Sequence, residues 1–535
     1  MGSKTDRTVD VLVIGSGGAG LTAAATSRAA GLSVLVAEKD SVFGGTTATS
    51  GGVIWIPMNR HAQKLGAEIG VEDTIANARH YLENETGQYI DRDRIEAYLA
   101  SGPVMVDFME RETEVKFHSM EFPDYHSDEP GASTIRSLGT LPYDAGQMGP
   151  LMKRLKGELP QTLFMGLALG SSLEMKNFLK AGRSITAMGF VVKRMLRHFR
   201  DLALHGSSQN IVRGRALIAR LAKTLDEAGV EIWTDSPATE LTTENGRVTG
   251  ARLATPDGTV TIRATYGVVL AAGGYPRDRE RRRENHPGVT ATMEPVLPVP
   301  MTNTGDGSRL AEAVGGRWNG HVSTAAAWMP TSKLPGATDF TGVWPHLVDR
   351  TKPGFIMVTP DGRRLVNESQ NYRDLIPAML EDLARVCGID GPELVATFER
   401  FNGFARSGDD LDYHRGRTKY DRHHGDDENT PNPSLGPLEV GPFFSVRIYP
   451  GEITSYKGMA TDIHARVLGH DDQPIAGLYA VGNDQANVFG GAYPGAGATI
   501  GPGMVFGWRA GKHLAEVAGK SLPGVTGETE RLAAD

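Results

Sequence analysis

Val9-Asp10-Val11-Leu12-Val13-Ile14-Gly15-Ser16-Gly17-Gly18-Ala19-Gly20 carries the first structural information in the chain. Val9 to Ile14 has the composition of a buried strand. A glycine turn follows at once, and Leu21 to Ala30 reads as a helix. Ser33 to Ala37 is a second strand, closed by Glu38. A glycine pattern of this spacing is weak by itself. Strand, glycine turn, helix, strand and an acid about 20 residues on make the whole dinucleotide-binding fingerprint. Gly15, Gly17, Gly18, Ala19 and Gly20 let backbone N–H groups reach a pyrophosphate at a helix start, and Glu38 is placed to accept hydrogen bonds from a ribose. The alternative is a plain βαβ unit with a glycine turn.

The remainder of the first 52 residues narrows the dinucleotide. Glu38 is followed by Lys39 and Asp40, and then by a second glycine-rich loop that contains Gly45, Thr46, Thr47, Ser50, Gly51 and Gly52. Ordinary NAD dehydrogenases have no such loop so soon after the ribose acid, whereas FAD enzymes wrap one around the flavin. Gly267 to Gly274 reads as a strand ending in small residues, among them Ala272 and Gly273. Leu478 to Asp484 reads as another, ending in Gly482, Asn483 and Asp484, with an acid able to bind the ribityl or phosphate region. These four segments resemble the fumarate reductase/succinate dehydrogenase flavoprotein superfamily over nearly the whole chain. The resemblance implies an α/β fold: a Rossmann-like FAD-binding domain, with a parallel sheet flanked by helices, and an inserted α+β capping domain. Covalent attachment in respiratory members uses a histidine of the second loop. Phe43 to Gly52 has none, so non-covalent FAD is expected.

Composition agrees with this class. The chain has 535 residues, long enough for two domains, with 40% hydrophobic and 22% charged residues. Its net charge of −8 gives no overall attraction to nucleic acid. The single cysteine, Cys387, rules out an intrachain disulfide and a cysteine-rich metal site, and fits a reducing, cytoplasmic setting. The apolar run near the amino terminus resembles a signal core, but glycines interrupt it. No apolar run reaches the roughly 18 residues of a spanning helix.

The branch of the superfamily is read from Gly490-Gly491-Ala492-Tyr493-Pro494-Gly495-Ala496-Gly497-Ala498-Thr499-Ile500-Gly501-Pro502-Gly503. Dicarboxylate enzymes of the superfamily carry an arginine in the equivalent loop. Here Asn487 to Pro494 offers no basic residue and no bidentate partner for a carboxylate. Tyr493 to Pro502 instead resembles the 3-ketosteroid Δ1-dehydrogenases at every fixed position of their motif. Gly51 to Pro57, Thr304 to Gly307 (with Asp306 as a cofactor-binding residue) and Phe401-Asn402 add shorter resemblances.

The resemblance implies a set of roles. Tyr493 O–H and Gly497 N–H would be paired donors around a ketone oxygen, stabilising the enolate-like charge that builds when the C2 proton leaves. Tyr372 would be the base that takes that proton, and Tyr125 its relay. A free phenol titrates near ~10, so a base at neutral pH needs a neighbour that favours the phenolate. The C1 hydride would pass to flavin N5. Phe122 and Pro494 would line the steroid pocket with Tyr125, Tyr493 and Gly497, and Ala498, Thr499 and Ile500 would lie on the flavin. Electrons would leave to an acceptor, quinone-like in one reading. The rival readings are a 3-ketosteroid Δ4-(5α)-dehydrogenase, a related enone reductase, and a non-catalytic flavoprotein that binds FAD and a hydrophobic ligand. One departure from the family stands out: Tyr372 runs almost directly into Leu380-Glu381-Asp382-Leu383-Ala384, where a longer piece of capping domain is expected.

The expected FAD-binding domain is discontinuous, 1–281 with 446–535, and the cap covers 282–445. The charged run Arg277 to Arg283 reads as a solvated helix face. Asp409 to Pro433, polar and rich in histidine (His414, His423, His424), reads as a surface loop rather than a metal site. Residues 159–204 stand apart. Lys176 to Arg200 holds seven Lys/Arg and no acids, mixed with Phe178, Leu179, Ile185, Met188 and other apolar residues. This reads either as a peripheral contact with an anionic membrane or as a helical excursion packed on the flavin domain with its basic face in water.

Overall fold

The computed structural model describes residues 7–170, 172–286, 296–336, 339–359, 361–371, 391–440 and 446–525. In chain order the elements that place the site are β1 (Arg7–Ile14), α1 (Gly18–Ala29), β2 (Val34–Ala37), α2 (Ile185–His205), α3 (Arg213–Glu227), β3 (Glu231–Trp233), β4 (Gly258–Leu270), β5 (Ala326–Lys333), β6 (Tyr449–Ser455), β7 (Pro474–Ala480) and α4 (Ile500–Val517).

The central sheet has β1 between β2 and β4, with β3 beyond β2 and β7 beyond β4, all parallel. Alternation along β1 shows why the strand is apolar throughout. Val11 and Val13 enter one core with Leu21 of α1, while Leu12 and Ile14 enter a second with Leu478 of β7. A parallel sheet covered on both faces needs apolar residues on both. Gly507 and Gly511 of α4 let that helix cross α1 closely. A Cβ on Gly507 would stand 2.5 Å from Ala19 O, and one on Gly511 2.7 Å from Thr26 Cβ.

The inserted segment contributes an antiparallel sheet in which β5 lies between Val343–Pro345 and β6. The boundary expected at 445/446 falls just before β6, whose hydrogen-bonded partner is β5 of the inserted segment.

Two expectations are corrected. The run Arg277 to Arg283 is only partly solvated: Arg277 Nη2 donates to Leu297 O (2.8 Å) and Val299 O (2.7 Å), and Arg282 is buried. Asp409 to Pro433 is only in part a surface loop. Asp410, Arg415, Tyr420 and Asp421 are buried, and Arg415 Nη1 reaches Glu368 at 2.9 Å while Arg364 pairs with both Glu368 (2.7 Å) and Asp410 (2.8 Å). Removing one member of such a buried network typically costs ~3–5 kcal/mol. On the two readings of 159–204, α2 is a mostly exposed helix. Only Ala187, His198 and Asp201 of it are buried, and Ile185 (93% exposed), Leu196 (65%) and Leu204 (68%) face solvent beside its basic residues. Among the described residues no helix is long and apolar enough to cross a membrane.

Candidate active site

The carboxyl ends of β1, β2, β4 and β7 converge on one edge of the sheet, where ligands of such folds sit. Gly15 leaves β1 with φ +109°, and a Cβ there would lie 2.1 Å from Ala271 O. Only glycine fits this turn. Helix α1 starts at Gly18 with Gly17 as N-cap, and α4 starts at Ile500 with Thr499 as N-cap; neither has a side-chain cap bond. The two starts adjoin: a Cβ on Gly18 would be 3.7 Å from Ile500 Cγ2, and one on Gly482 3.1 Å from Ala19 Cβ. Two helix N-termini without a side-chain bond from their N-cap residues, set against small residues, fit a pyrophosphate in charge and in space.

Several of the residues expected around that cradle are fastened in its turns, in differing ways. Glu38 is buried at the end of β2. Its Oε2 accepts from Ser16 N (3.0 Å) and its Oε1 from Asp40 N (2.9 Å). Gly18 N donates to Thr47 Oγ1 (3.1 Å), and Thr46 Oγ1 accepts from Asn303 Nδ2 (2.9 Å). Ser50 Oγ donates to Thr47 O (2.7 Å) and accepts from Gly52 N (3.2 Å), closing the second glycine loop. Gly52 at φ +65° would bring a Cβ 2.2 Å from Gly214 N, so α3 presses directly on this loop. Gly45 opens the short helix of that loop and Gly51 is exposed.

Lys39 Nζ pairs with Asp306 Oδ2 (2.7 Å) and donates to Thr304 Oγ1 (2.6 Å), which ties the end of β2 to the inserted segment. Asp484 is fully buried. Its carboxylate takes Ala272 N (2.5 Å) and Gly274 N (3.1 Å), so its resolved partners are the backbone flanking Gly273. Burial pushes the Asp484 carboxyl up to about 6. Asn483 lies beside it in the same turn.

The second half of the site is the loop Gly491 to Thr499. Its carbonyls are fixed from the other side of the molecule. Pro494 O accepts from Tyr81 O–H (2.7 Å) and Tyr125 N (3.0 Å), Ala496 O from Ser137 Oγ (3.0 Å), and Gly497 O from Trp55 N (3.3 Å) and Gly501 N (2.9 Å). Gly497 has φ +98°, and a Cβ there would lie 2.6 Å from the Ile54 backbone. Its N–H has no partner among the described residues. Ala498 is buried and Thr499 and Ile500 are half-buried at the start of α4.

Tyr493 is 6% exposed, and its ring stacks on that of Tyr125 with centroids 5.3 Å apart and planes 6° from parallel. Phe122 lies 6.3 Å from Tyr125. Tyr125 is held by the residue before it. Asp124 accepts from Trp55 Nε1 (2.7 Å), Arg136 Nη1 (2.7 Å) and Ser133 N (2.9 Å). Burial raises the Asp124 carboxyl while the Arg136 guanidinium opposes that rise. Tyr125, Tyr493, Gly497, Phe122 and Pro494 are thus together, and Tyr372 lies outside the described residues. Sequence reasoning missed the anchors Tyr81, Asp124 and Arg136, and missed the Lys419–His423 helix. Tyr420 of that helix is 4.9 Å from Tyr125, and His423 is 4.5 Å from Phe122. Their only signal was an aromatic in a polar stretch. Among the described residues no group of three or more His, Cys, Asp or Glu side chains is placed to hold a metal ion.

A nucleotide cradle at the sheet edge, covered by an inserted segment and facing a tyrosine-bearing loop, defines an FAD-dependent oxidoreductase. Comparison with known proteins bears this out. The FAD binding domain family matches residues 10–500. A 3-oxosteroid 1-dehydrogenase from Mycolicibacterium smegmatis is 34% identical, covering 97% of this chain and 99% of that protein. A 4-oxocyclohexanecarboxylate 2-dehydrogenase from Sinomonas cyclohexanicum is 35% identical over 95% of this chain and 93% of its own length. The crystal structure of 3-ketosteroid Δ1-dehydrogenase from Sterolibacterium denitrificans, in complex with 1,4-androstadiene-3,17-dione, superposes with a TM-score of 0.87 at 32% identity, covering 96% of this chain and 100% of that one. The chain belongs to the FAD-binding flavoprotein family that contains the 3-oxosteroid 1-dehydrogenases. The alignment with the Mycolicibacterium protein runs over 588 positions, more than the 535 residues here, so that relative carries segments this chain lacks.

Proposed function

We propose that the enzyme introduces the 1,2 double bond into a 3-ketosteroid. The observation that carries this reading is the pairing of the Tyr493–Gly497 loop with the stacked Tyr125. FAD supplies the acceptor for the C1 hydride. The chain's own residues handle the rest. The Tyr493 hydroxyl and the Gly497 N–H stabilise negative charge on the C3 oxygen, which acidifies C2. Tyr372 takes the C2 proton, and Tyr125 is its relay and favours its phenolate. Phe122, beside Tyr125, gives the ring system an aromatic wall.

A second reading has its own support. The relative that acts on 4-oxocyclohexanecarboxylate is as similar as those that act on steroids, and the same donors suit any ring ketone with an adjacent CH–CH. Anaerobic mixing separates the two. Androst-4-ene-3,17-dione bleaches the flavin if the steroid reading holds. Bleaching only by 4-oxocyclohexanecarboxylate transfers the same chemistry to a small ring, and a spectral shift without reduction by either leaves a binding protein.

The reading includes a route of supply. Sterols partition into membranes, and α2 exposes apolar side chains next to Lys193, Arg197 and Arg200. Segment 159–204 docks on an anionic bilayer in this view, with the apolar side chains inserted and the basic ones among headgroups. The expected result is co-flotation with vesicles containing phosphatidylserine at low salt, falling as salt screens the charges. Ile185→Ser with Leu196→Ser should weaken it. Equal flotation with neutral and anionic vesicles contradicts the electrostatic part.

A further inference from the structure

We infer that Tyr420 is a positioning residue for Tyr125, and that the Lys419–His423 helix is the piece that holds the ring of that relay tyrosine in place. The inference rests on the ring-ketone reading above, but on different observations. Tyr420 is only 2% exposed although its surrounding sequence is polar. Its ring meets Tyr125 at 4.9 Å with an interplanar angle of 56°, and Phe122 at 6.4 Å with 61°. Tilted and edge-on contacts of this kind are directional, because the positive edge of one ring meets the negative face of another. Tyr125 therefore has an aromatic contact on Tyr493, which carries the ketone donor, and another on Tyr420.

The helix itself is fastened at several points. Thr418 Oγ1 caps it by accepting Asp421 N (3.0 Å), and Tyr420 N donates to Ser127 Oγ (3.1 Å), two residues after Tyr125. On the opposite side Asp421 Oδ2 accepts from Asn367 Nδ2 (3.0 Å) and Gly416 N (3.1 Å). Asn367 opens the Asn367-Glu368-Ser369 turn that leads to Tyr372, and Glu368 and Ser369 are held by Arg415 at 2.9 and 3.0 Å. One five-residue helix thus grips the segment bearing the relay and the segment leading to the base. Proton transfer between groups on distant parts of the chain needs sub-ångström placement, and a loss of ~1 Å can cost ~10² in rate. A ring at position 420 supplies that placement; its hydroxyl is not required.

The test measures the anaerobic rate of flavin reduction by the ketone that the wild type dehydrogenates. Tyr420→Leu should slow reduction about tenfold or more, with FAD content and the dissociation constant for a non-reducible ketone unchanged within twofold. Tyr420→Phe should restore the rate to within twofold of wild type. Placed in a Tyr125→Phe background, which lacks the hydroxyl to be positioned, Tyr420→Leu should add less than threefold. Wild-type reduction in Tyr420→Leu overturns the inference. Equal loss in the Phe and Leu variants also overturns it, because the hydroxyl rather than the ring would then matter. Fully multiplicative losses in the double variant overturn it as well, since Tyr420 would then act independently of Tyr125. If no ketone reduces the wild-type flavin, the ring-ketone reading itself has failed, and that outcome is seen before any variant is made.

Discussion

Tyr493→Phe should lower the rate of substrate-dependent flavin reduction by ~10² to 10³, the range typical for loss of one preorganised oxyanion donor. The substitution is conservative in every respect but one. The ring of Tyr493 stacks on Tyr125 at 5.3 Å and is 6% exposed, and phenylalanine keeps both the stack and the burial. The neighbouring Pro494 carbonyl stays pinned by Tyr81 and Tyr125. What disappears is the donor that the proposed mechanism places on the ketone oxygen, where its bond would strengthen as charge develops. An interaction realised mainly in the transition state affects turnover more than binding. The expected pattern is therefore a large fall in kcat, a dissociation constant for the ketone changed by less than about threefold, and unchanged FAD content. Stopped-flow reduction together with equilibrium titration measures both quantities. A fall confined to affinity removes Tyr493 from the oxyanion site.

The nucleotide half of this site was legible in the sequence because its physics is local. A turn at positive φ needs glycine at Gly15, and the acid that closes β2 lies a fixed distance along the same βαβ unit. The tyrosine loop was legible through resemblance, and its glycines have steric causes that the structure supplies: Gly495 would bring a Cβ 2.5 Å from the Trp55 ring. The region around Tyr420 was not legible. Windows of Asp, Arg and His read as solvated chain, because nothing local announces that Arg415 meets Glu368 across 47 residues or that Arg364 meets Asp410 across 46. Asp484 illustrates a subtler limit. An acid at a strand end suits a ribityl or phosphate contact and also suits capping of backbone N–H groups, and only the fold shows its oxygens on Ala272 and Gly274. The amphipathic character of α2 was evident from its residues, but whether its apolar side met protein or solvent depended on what packs around it.

Gly497→Ala should be the most damaging single methyl group in the tyrosine loop. Three effects act together. Gly497 has φ +98°, a conformation that an alanine adopts only with strain. Its added Cβ would stand 2.6 Å from Ile54 Cα, Ile54 C and Val53 O, all backbone atoms of the segment that follows the second glycine loop. Those atoms cannot swing aside as a flexible side chain would, because Trp55 N is bonded to Gly497 O and the Trp55 ring is fixed by Asp124. The loop itself must move, and with it the Gly497 N–H that the proposed mechanism assigns to the ketone oxygen. The expected result is a melting temperature lowered by several degrees, corresponding to ~1–3 kcal/mol of strain, and turnover reduced by at least ~10². The Tyr493→Phe variant provides the comparison. If both residues hold one oxygen, the double variant should lose much less than the product of the two single losses, because a displaced loop has already broken the geometry that the tyrosine hydroxyl needs. Turnover above a tenth of wild type in Gly497→Ala, with the stability loss present, would show that this N–H is not a donor to the reacting ketone.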